Sequence, residues 1–186
     1  AVSDQMPGVT IPYEAFPGAI GVLPGEPEVK KWKAREAELA AAGGAALGPS
    51  AGGALPADVC GEKGSDKDDC LRTIPPRENG GNMDVQQQQI GTKIIFPCFI
   101  DGCGLFAGDI HYAQGDGEVA GTAIEMGSVT TVRVTILKGA GKDMDMPVTV
   151  GNDQIIDMEP TRYYQTLGIP LKGLSLIHIS EPTRLV

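Results

Sequence analysis

The sequence predicts a mainly β protein with few helices, of the α+β class, and three observations carry that reading. Between residues 93 and 150, short β-branched and aromatic runs alternate with glycine-bearing turns. Only residues 26–42 combine helix-forming composition with helix end signals. The chain of 186 residues also carries 26 glycines and 14 prolines, which punctuate it too often for long helices.

Residues 1–25 are rich in proline and glycine, with short apolar pieces such as Val9-Thr10-Ile11 and Ala19-Ile20-Gly21-Val22. They are expected to form an extended segment wrapped over a core. In the helix at 26–42, Pro27 suits the first turn and acids sit early. Ala, Lys, Glu and Leu fill the body, and Gly43-Gly44 stops it. Residues 45–69 have low complexity and then a charged run with no apolar period, so a solvated loop is expected. Asp66, Asp68 and Asp69 in that run lack the set positions and closing glutamate of an EF-hand.

From Arg72 onward the character is β. Residues 93–97 read as a strand that continues through Phe99-Ile100 to a turn at Asp101-Gly102. A second strand begins at Leu105 and runs into Asp109, and a third covers 118–126. Residues 129–137 are the clearest strand, β-branched with partial alternation. Residues 146–150 and 154–158 form a further expected pair around Gly151-Asn152. No internal repeat is evident.

The net charge of −9 argues against nucleic acid and against an anionic membrane surface. No apolar run reaches the ~20 residues that span a bilayer. The four cysteines form no CxxC pair, so free, partly buried thiols of a cytoplasmic protein are expected. A Cys60–Cys70 bridge is the less supported alternative. The chain starts at Ala1 and reads as a piece of a longer protein. Residues 174–186 resemble translated sequencing-adapter sequence and are read as a non-native tail, which removes His178 from any site. The rival reading of the tail is a final strand at 176–179.

One stretch concentrates chemistry. Gly108-Asp109-Ile110-His111-Tyr112-Ala113-Gln114-Gly115-Asp116-Gly117-Glu118 holds an imidazole and three carboxylates between two apolar segments. Like charges this close repel, so a bound cation or a hydrolytic site is the reading that explains their company. Asp109 and His111 are two apart, hence on one face of a strand, which suits two ligands on one ion. Asp84 follows Gly80-Gly81, whose free backbone could bring it close.

With Gly121-Thr122-Ala123-Ile124-Glu125, this stretch resembles the acetamidase/formamidase family of amide hydrolases. Gly80-Gly81-Asn82-Met83-Asp84 is similar to that family's GGN-x-D element. Pro160-Thr161-Arg162-Tyr163-Tyr164 and Gly168-Ile169-Pro170 also read as family-like. The resemblance runs over residues 6–172 and is strongest over 72–138. It implies an incomplete acetamidase/formamidase-like β-sandwich or sheet core. Residues 1–173 would form one partial domain, with an extended segment, helix and loop over 1–71 and a motif-bearing β core over 72–173.

The resemblance further implies metal-assisted hydrolysis of formamide or acetamide to ammonia and the carboxylate. Asp84, Asp109 and His111 are expected to hold a divalent metal, zinc in the first place and calcium in the second. Glu118 is expected as general base and acid, with Asp116 and Glu125 as alternatives, and Glu118 could instead be a ligand. Asn82 and Gln114 could bind the substrate carbonyl or amide nitrogen. The partners implied are a small amide and, in the full-length protein, further copies in a homo-oligomer, with no nucleic acid and no membrane.

Each assignment has a plainer rival. Asp116-Gly117 is a hairpin-turn signal, Glu125 an exposed strand end, and Asn82 and Asp84 turn formers. A non-catalytic β module binding calcium through Asp109, Asp116 and Glu118, or an inactive fragment, is the alternative function. His111 discriminates, because calcium prefers oxygen ligands. Ser128 lacks a GxSxG elbow, and Cys98 and Cys103 rank lower as nucleophiles.

Overall fold

The segment around Ala19-Ile20 does not wrap over the core; it is one of the two inner strands of the larger sheet. The computed structural model describes residues 2, 4–42, 55–151 and 164–166, with the side chains of Asp116 and of 164–166 outside that set. In chain order the elements are β1 (Phe16–Gly21), α1 (Glu26–Ala41), a one-turn α2 (Ala57–Cys60), β2 (Gly80–Asn82), β3 (Lys93–Ile95) and β4 (Phe106–Ala113). They are followed by β5 (Ile124–Glu125), β6 (Val148–Val150) and β7 (Tyr164–Thr166). One antiparallel sheet has the order β2-β1-β4-β5 and a second the order β3-β6-β7. The mainly β reading holds, and no described helix is long and apolar enough to cross a membrane.

Strand β1 earns its inner place by burial. Ala15, Phe16, Ile20 and Val22 are among the few fully buried apolar side chains, and β1 bonds β2 on one side and β4 on the other. Its proline and glycines hid that role, because Pro17 and Gly18 both disfavour a strand interior. Pro17 stands opposite Ile110, while the ladder skips the next pair, Gly18 and Asp109. That gap later proves to be where the site sits.

Helix α1 starts with Pro27 and acidic Glu26 and Glu28 in its first turn, as expected of a helix N-terminus. It ends at Ala41, and the Gly43-Gly44 stop lies outside the described residues. Its inward face is only partly apolar. Trp32 is 1% exposed and packs edge-on against Phe99, with ring centroids 6.0 Å apart. One turn further, buried Glu36 takes two hydrogen bonds from Arg77, at 2.5 and 3.0 Å, and the Arg77 guanidinium lies 5.9 Å from the Trp32 ring centroid. Arg35 grips Glu78 through both nitrogens at 2.7 and 3.0 Å. Burial works to raise the Glu78 carboxyl, yet the hydrogen bonds from Arg35, the backbone and Lys31, with the Arg35 charge, together outweigh it and hold the group below its ordinary range. These pairs clamp the helix to Arg77 and Glu78, just before β2.

Several expectations need correction. The strand begun at Leu105 runs to Ala113, past its expected end. The strand expected over 118–126 shrinks to Ile124–Glu125, after a 3-10 turn at Asp116–Glu118. Residues 129–137, the clearest strand by composition, form none: Val129, Val132, Val134, Ile136 and Leu137 are exposed, and the segment pairs with no described strand. β-propensity describes a residue's fit to a sheet and supplies no partner. The segment 154–158 lies outside the described residues.

The cysteines are paired, not free. Cys60 and Cys70 are bridged with Cα atoms 5.5 Å apart, and Cys98 and Cys103 with Cα atoms 4.9 Å apart. The chain turns back after α2, where Ser65 and Asp66 donate to the carbonyls of Asp58 and Val59. The Asp101-Gly102 turn folds Cys103 onto Cys98 in the same way, its backbone N–H donating to Ile100.

Glu36→Ala would leave the buried Arg77 guanidinium without its counter-charge, a change that costs about 3–5 kcal/mol. We expect a matching fall in the urea unfolding free energy; a loss below about 1 kcal/mol would mean that water already compensates Arg77.

Candidate functional site

His111 lies at the centre of the arrangement. It is fully buried on β4 and packs edge-on against Phe16 of β1, with ring centroids 5.0 Å apart. Asp109, two residues earlier on the same strand, places Oδ2 3.3 Å from His111 Nε2. Asp84 arrives on the segment after β2 and places Oδ1 3.7 Å from the same nitrogen. Glu125 stands directly across the β4–β5 ladder from His111. Glu118 closes the 3-10 turn that follows β4. Ligand atoms of Asp84, His111 and Glu118 lie within 4.8 Å of one another, and so do those of Asp109, His111 and Glu125. His111 belongs to both groups.

Gly18 makes room for this. A methyl group there would sit 2.6 Å from His111 Nε2 and 2.8 Å from Asp84 Oδ1, closer than side chains approach one another. The Gly18 carbonyl, on the β2 side of β1, accepts the backbone N–H groups of Met83 and Asp84, both at 3.0 Å. One residue therefore leaves the space and fixes the strand end that fills it. Gln114 ties the remaining parts together: its amide reaches His111 Nδ1 at 2.9 Å and the Asp84 carbonyl oxygen at 2.7 Å.

The backbone is strained at the acids. Asp84, Asp109 and Glu118 have φ of 52°, 50° and 46°, in the left-handed region that residues with a Cβ avoid. Such conformations cost about 1–3 kcal/mol each and persist where the surroundings over-determine them. Charge adds to the cost. Burial, then the Glu118 carboxylate, with Asp109 adding to it, push the Asp84 carboxyl up to about 7, against the lowering pull of His111. Asp84 Oδ1 and His111 Nε2 are both buried without a hydrogen-bond partner among the described residues. Orphaned polar atoms of this kind are rare in folded proteins and call for a missing partner. An imidazole nitrogen and carboxylate oxygens converging on one space suit a divalent cation of the zinc type.

Five of the expected site residues are thus gathered in two groups that share His111: Asp84 with Glu118, and Asp109 with Glu125. The Asp116 side chain lies outside the described residues. Asn82 points its amide elsewhere, donating to the Ile74 carbonyl at 3.1 Å. Gln114 is engaged at both ends of its amide by the protein itself. Gly18 is the residue that sequence reasoning missed. Nothing beside it in the sequence marks it; its role depends on Asp84 and His111, which reach it only through the pairing of β1 with β2 and β4.

The Acetamidase/Formamidase family matches residues 1–181. The chain is 38% identical over 147 residues to the acetamidase of Mycolicibacterium smegmatis, covering 74% of this chain and 36% of that one. It is 32% identical over 150 residues to the formamidase of Methylophilus methylotrophus, covering 75% of this chain and 36% of that one. Its structure is similar to that of a gamma lactamase from Delftia acidovorans, with TM-score 0.56 and 39% identity over 64% of this chain and 31% of that one. The chain therefore spans little more than a third of the length of the relatives it matches.

Gly18→Ala is expected to leave the fold intact, since this glycine has no positive φ to maintain, and to fill the space beside His111 Nε2. Zinc retained after dialysis should fall by roughly tenfold or more with an unchanged circular dichroism spectrum. Wild-type zinc retention in the variant would show that the space is not where a cation sits.

Proposed function

The chain belongs to the acetamidase/formamidase family, and on that premise we propose that it carries the acid–imidazole centre of an enzyme that hydrolyses a short aliphatic amide to ammonia and the carboxylate. The observation that carries the proposal is the approach of Asp109 Oδ2 and Asp84 Oδ1 to 3.3 and 3.7 Å from His111 Nε2, where Asp84 Oδ1 and His111 Nε2 are buried without a hydrogen-bond partner among the described residues. Relatives named for acetamide and formamide, and a structural neighbour named for a lactam, share the cleavage of an amide C–N bond.

Amide hydrolysis needs a polarised carbonyl, a deprotonated water and a proton for the leaving nitrogen. Asp84, Asp109 and His111 would hold a divalent cation, zinc before calcium. When bound, such an ion polarises the carbonyl and acidifies water. Glu118 then takes the proton from the attacking water and returns it to the amide nitrogen, which leaves as ammonia. The left-handed backbone at Glu118 fixes where its carboxylate stands relative to Asp84 and His111. Glu125, across the ladder from His111, is the second candidate for this role. A structural calcium module is the weaker reading, because a buried imidazole belongs to both groups of ligand atoms.

The test is a chimera in which this chain replaces the matching third of the Mycolicibacterium smegmatis acetamidase, assayed for ammonia release from acetamide and formamide. We expect release that His111→Ala abolishes and that Glu118→Gln lowers by roughly 10²–10⁴-fold. A folded, zinc-loaded chimera that releases no ammonia would refute the short-amide reading. Release that survives His111→Ala would keep the activity and move the site elsewhere.

A further inference from the structure

We propose that Gln114 is a positioning residue that holds the Nδ1 proton of His111 and so leaves Nε2 as the ring nitrogen for a cation beside the carboxylates. The proposal rests on the cation reading above and deepens it. Its basis is hydrogen-bond accounting around a single side-chain amide. A backbone carbonyl oxygen can only accept, so the contact of Gln114 with the Asp84 carbonyl at 2.7 Å must use the NH2 end of the amide. The other end, Oε1, therefore faces His111 Nδ1 at 2.9 Å. An amide oxygen also only accepts, so Nδ1 carries a proton. An imidazole binds a cation in its neutral form, and with the proton on Nδ1 that form has its lone pair on Nε2.

That nitrogen stands 3.3 Å from Asp109 Oδ2 and 3.7 Å from Asp84 Oδ1. A lone pair against two carboxylates is repulsive unless a cation stands between them. Gln114 thus sets the ring nitrogen that a cation requires. Through its second bond it also ties β4 to the backbone of Asp84, so two ligands from distant parts of the chain are held in one frame. The same residue is then unavailable to substrate, in contrast to the role expected from sequence. Partners that fix a ligating histidine in this way are worth roughly ten- to a hundredfold in metal affinity.

Two measurements test this on the chain as it stands. The tautomer is read from the imidazole 15N NMR spectrum of the zinc-free protein at alkaline pH, where the ring carries a single proton. The chain has two histidines, so a His178→Gln background leaves His111 as the single signal source. Zinc affinity is read by competition with a chromophoric chelator, for wild type and for Gln114→Leu. We expect the proton on Nδ1 in the wild type, mixed tautomers in Gln114→Leu, and zinc bound roughly ten- to a hundredfold more weakly by that variant. A wild-type proton on Nε2 overturns the proposal, and so does a Gln114→Leu affinity within about twofold of wild type. If Gln114→Leu does not fold, the wild-type tautomer alone decides. If the wild type binds no zinc, the cation reading fails by itself and the tautomer still decides what Gln114 does.

Discussion

Carboxylates pressed against one buried imidazole are the constraint on which this structure turns. Asp84 and Asp109 both approach His111 Nε2, and Glu118 and Glu125 stand close behind. No such cluster gathers by hydrophobic collapse, since burial and like charge both oppose it. The surrounding chain holds it in place instead. The β1–β4 ladder opens at Gly18 and Asp109, the Gly18 carbonyl grips the backbone at Asp84, and three of the acids sit in left-handed backbone. Each is a departure from what a sheet would do for stability alone. That the departures fall at the same few residues is the strongest physical argument for a functional centre.

The scaffold that withstands this is itself unusually polar. Glu36, Arg77, Glu78 and Asn79 are buried, and they lie where α1 meets the approach to β2. Asn79 donates to the Val22 carbonyl at 2.7 Å, and the Val22 N–H returns a bond to the Asn79 carbonyl at 3.0 Å. The position of β2, and with it Asp84, is therefore set by directional bonds more than by apolar packing. Directional bonds fix geometry to a fraction of an ångström, as a ligand frame requires. Gln88 works the same way in the other sheet, donating to the fully buried Thr149 of β6 at 3.0 Å.

What the sequence disclosed, and what it hid, follows from the range over which each signal acts. The DIH spacing was legible because a strand repeats every two residues, so Asp109 and His111 had to share a face. Helix α1 was legible because its end signals are local. Asp84 could be named from a glycine pair and a family-like motif, but its distance from His111 could not. Gly18 was illegible for the same reason: its importance comes from two side chains far away in sequence. Residues 129–137 misled in the opposite direction, since their composition is that of a strand while the pairing partner a strand needs is absent from the described residues. The cysteines misled because spacing alone does not report the turns that bring Cα atoms within bridging reach.

The central claim is that this crowding exists to hold a divalent cation between His111 and the acids. Anomalous diffraction from crystals grown with zinc tests it most directly, with data collected on both sides of the zinc absorption edge. The account predicts an edge-dependent peak bonded to His111 Nε2 and to oxygens of Asp84 and Asp109. Fully ordered side chains with no peak at His111, or a zinc bound only elsewhere on the chain, would contradict it.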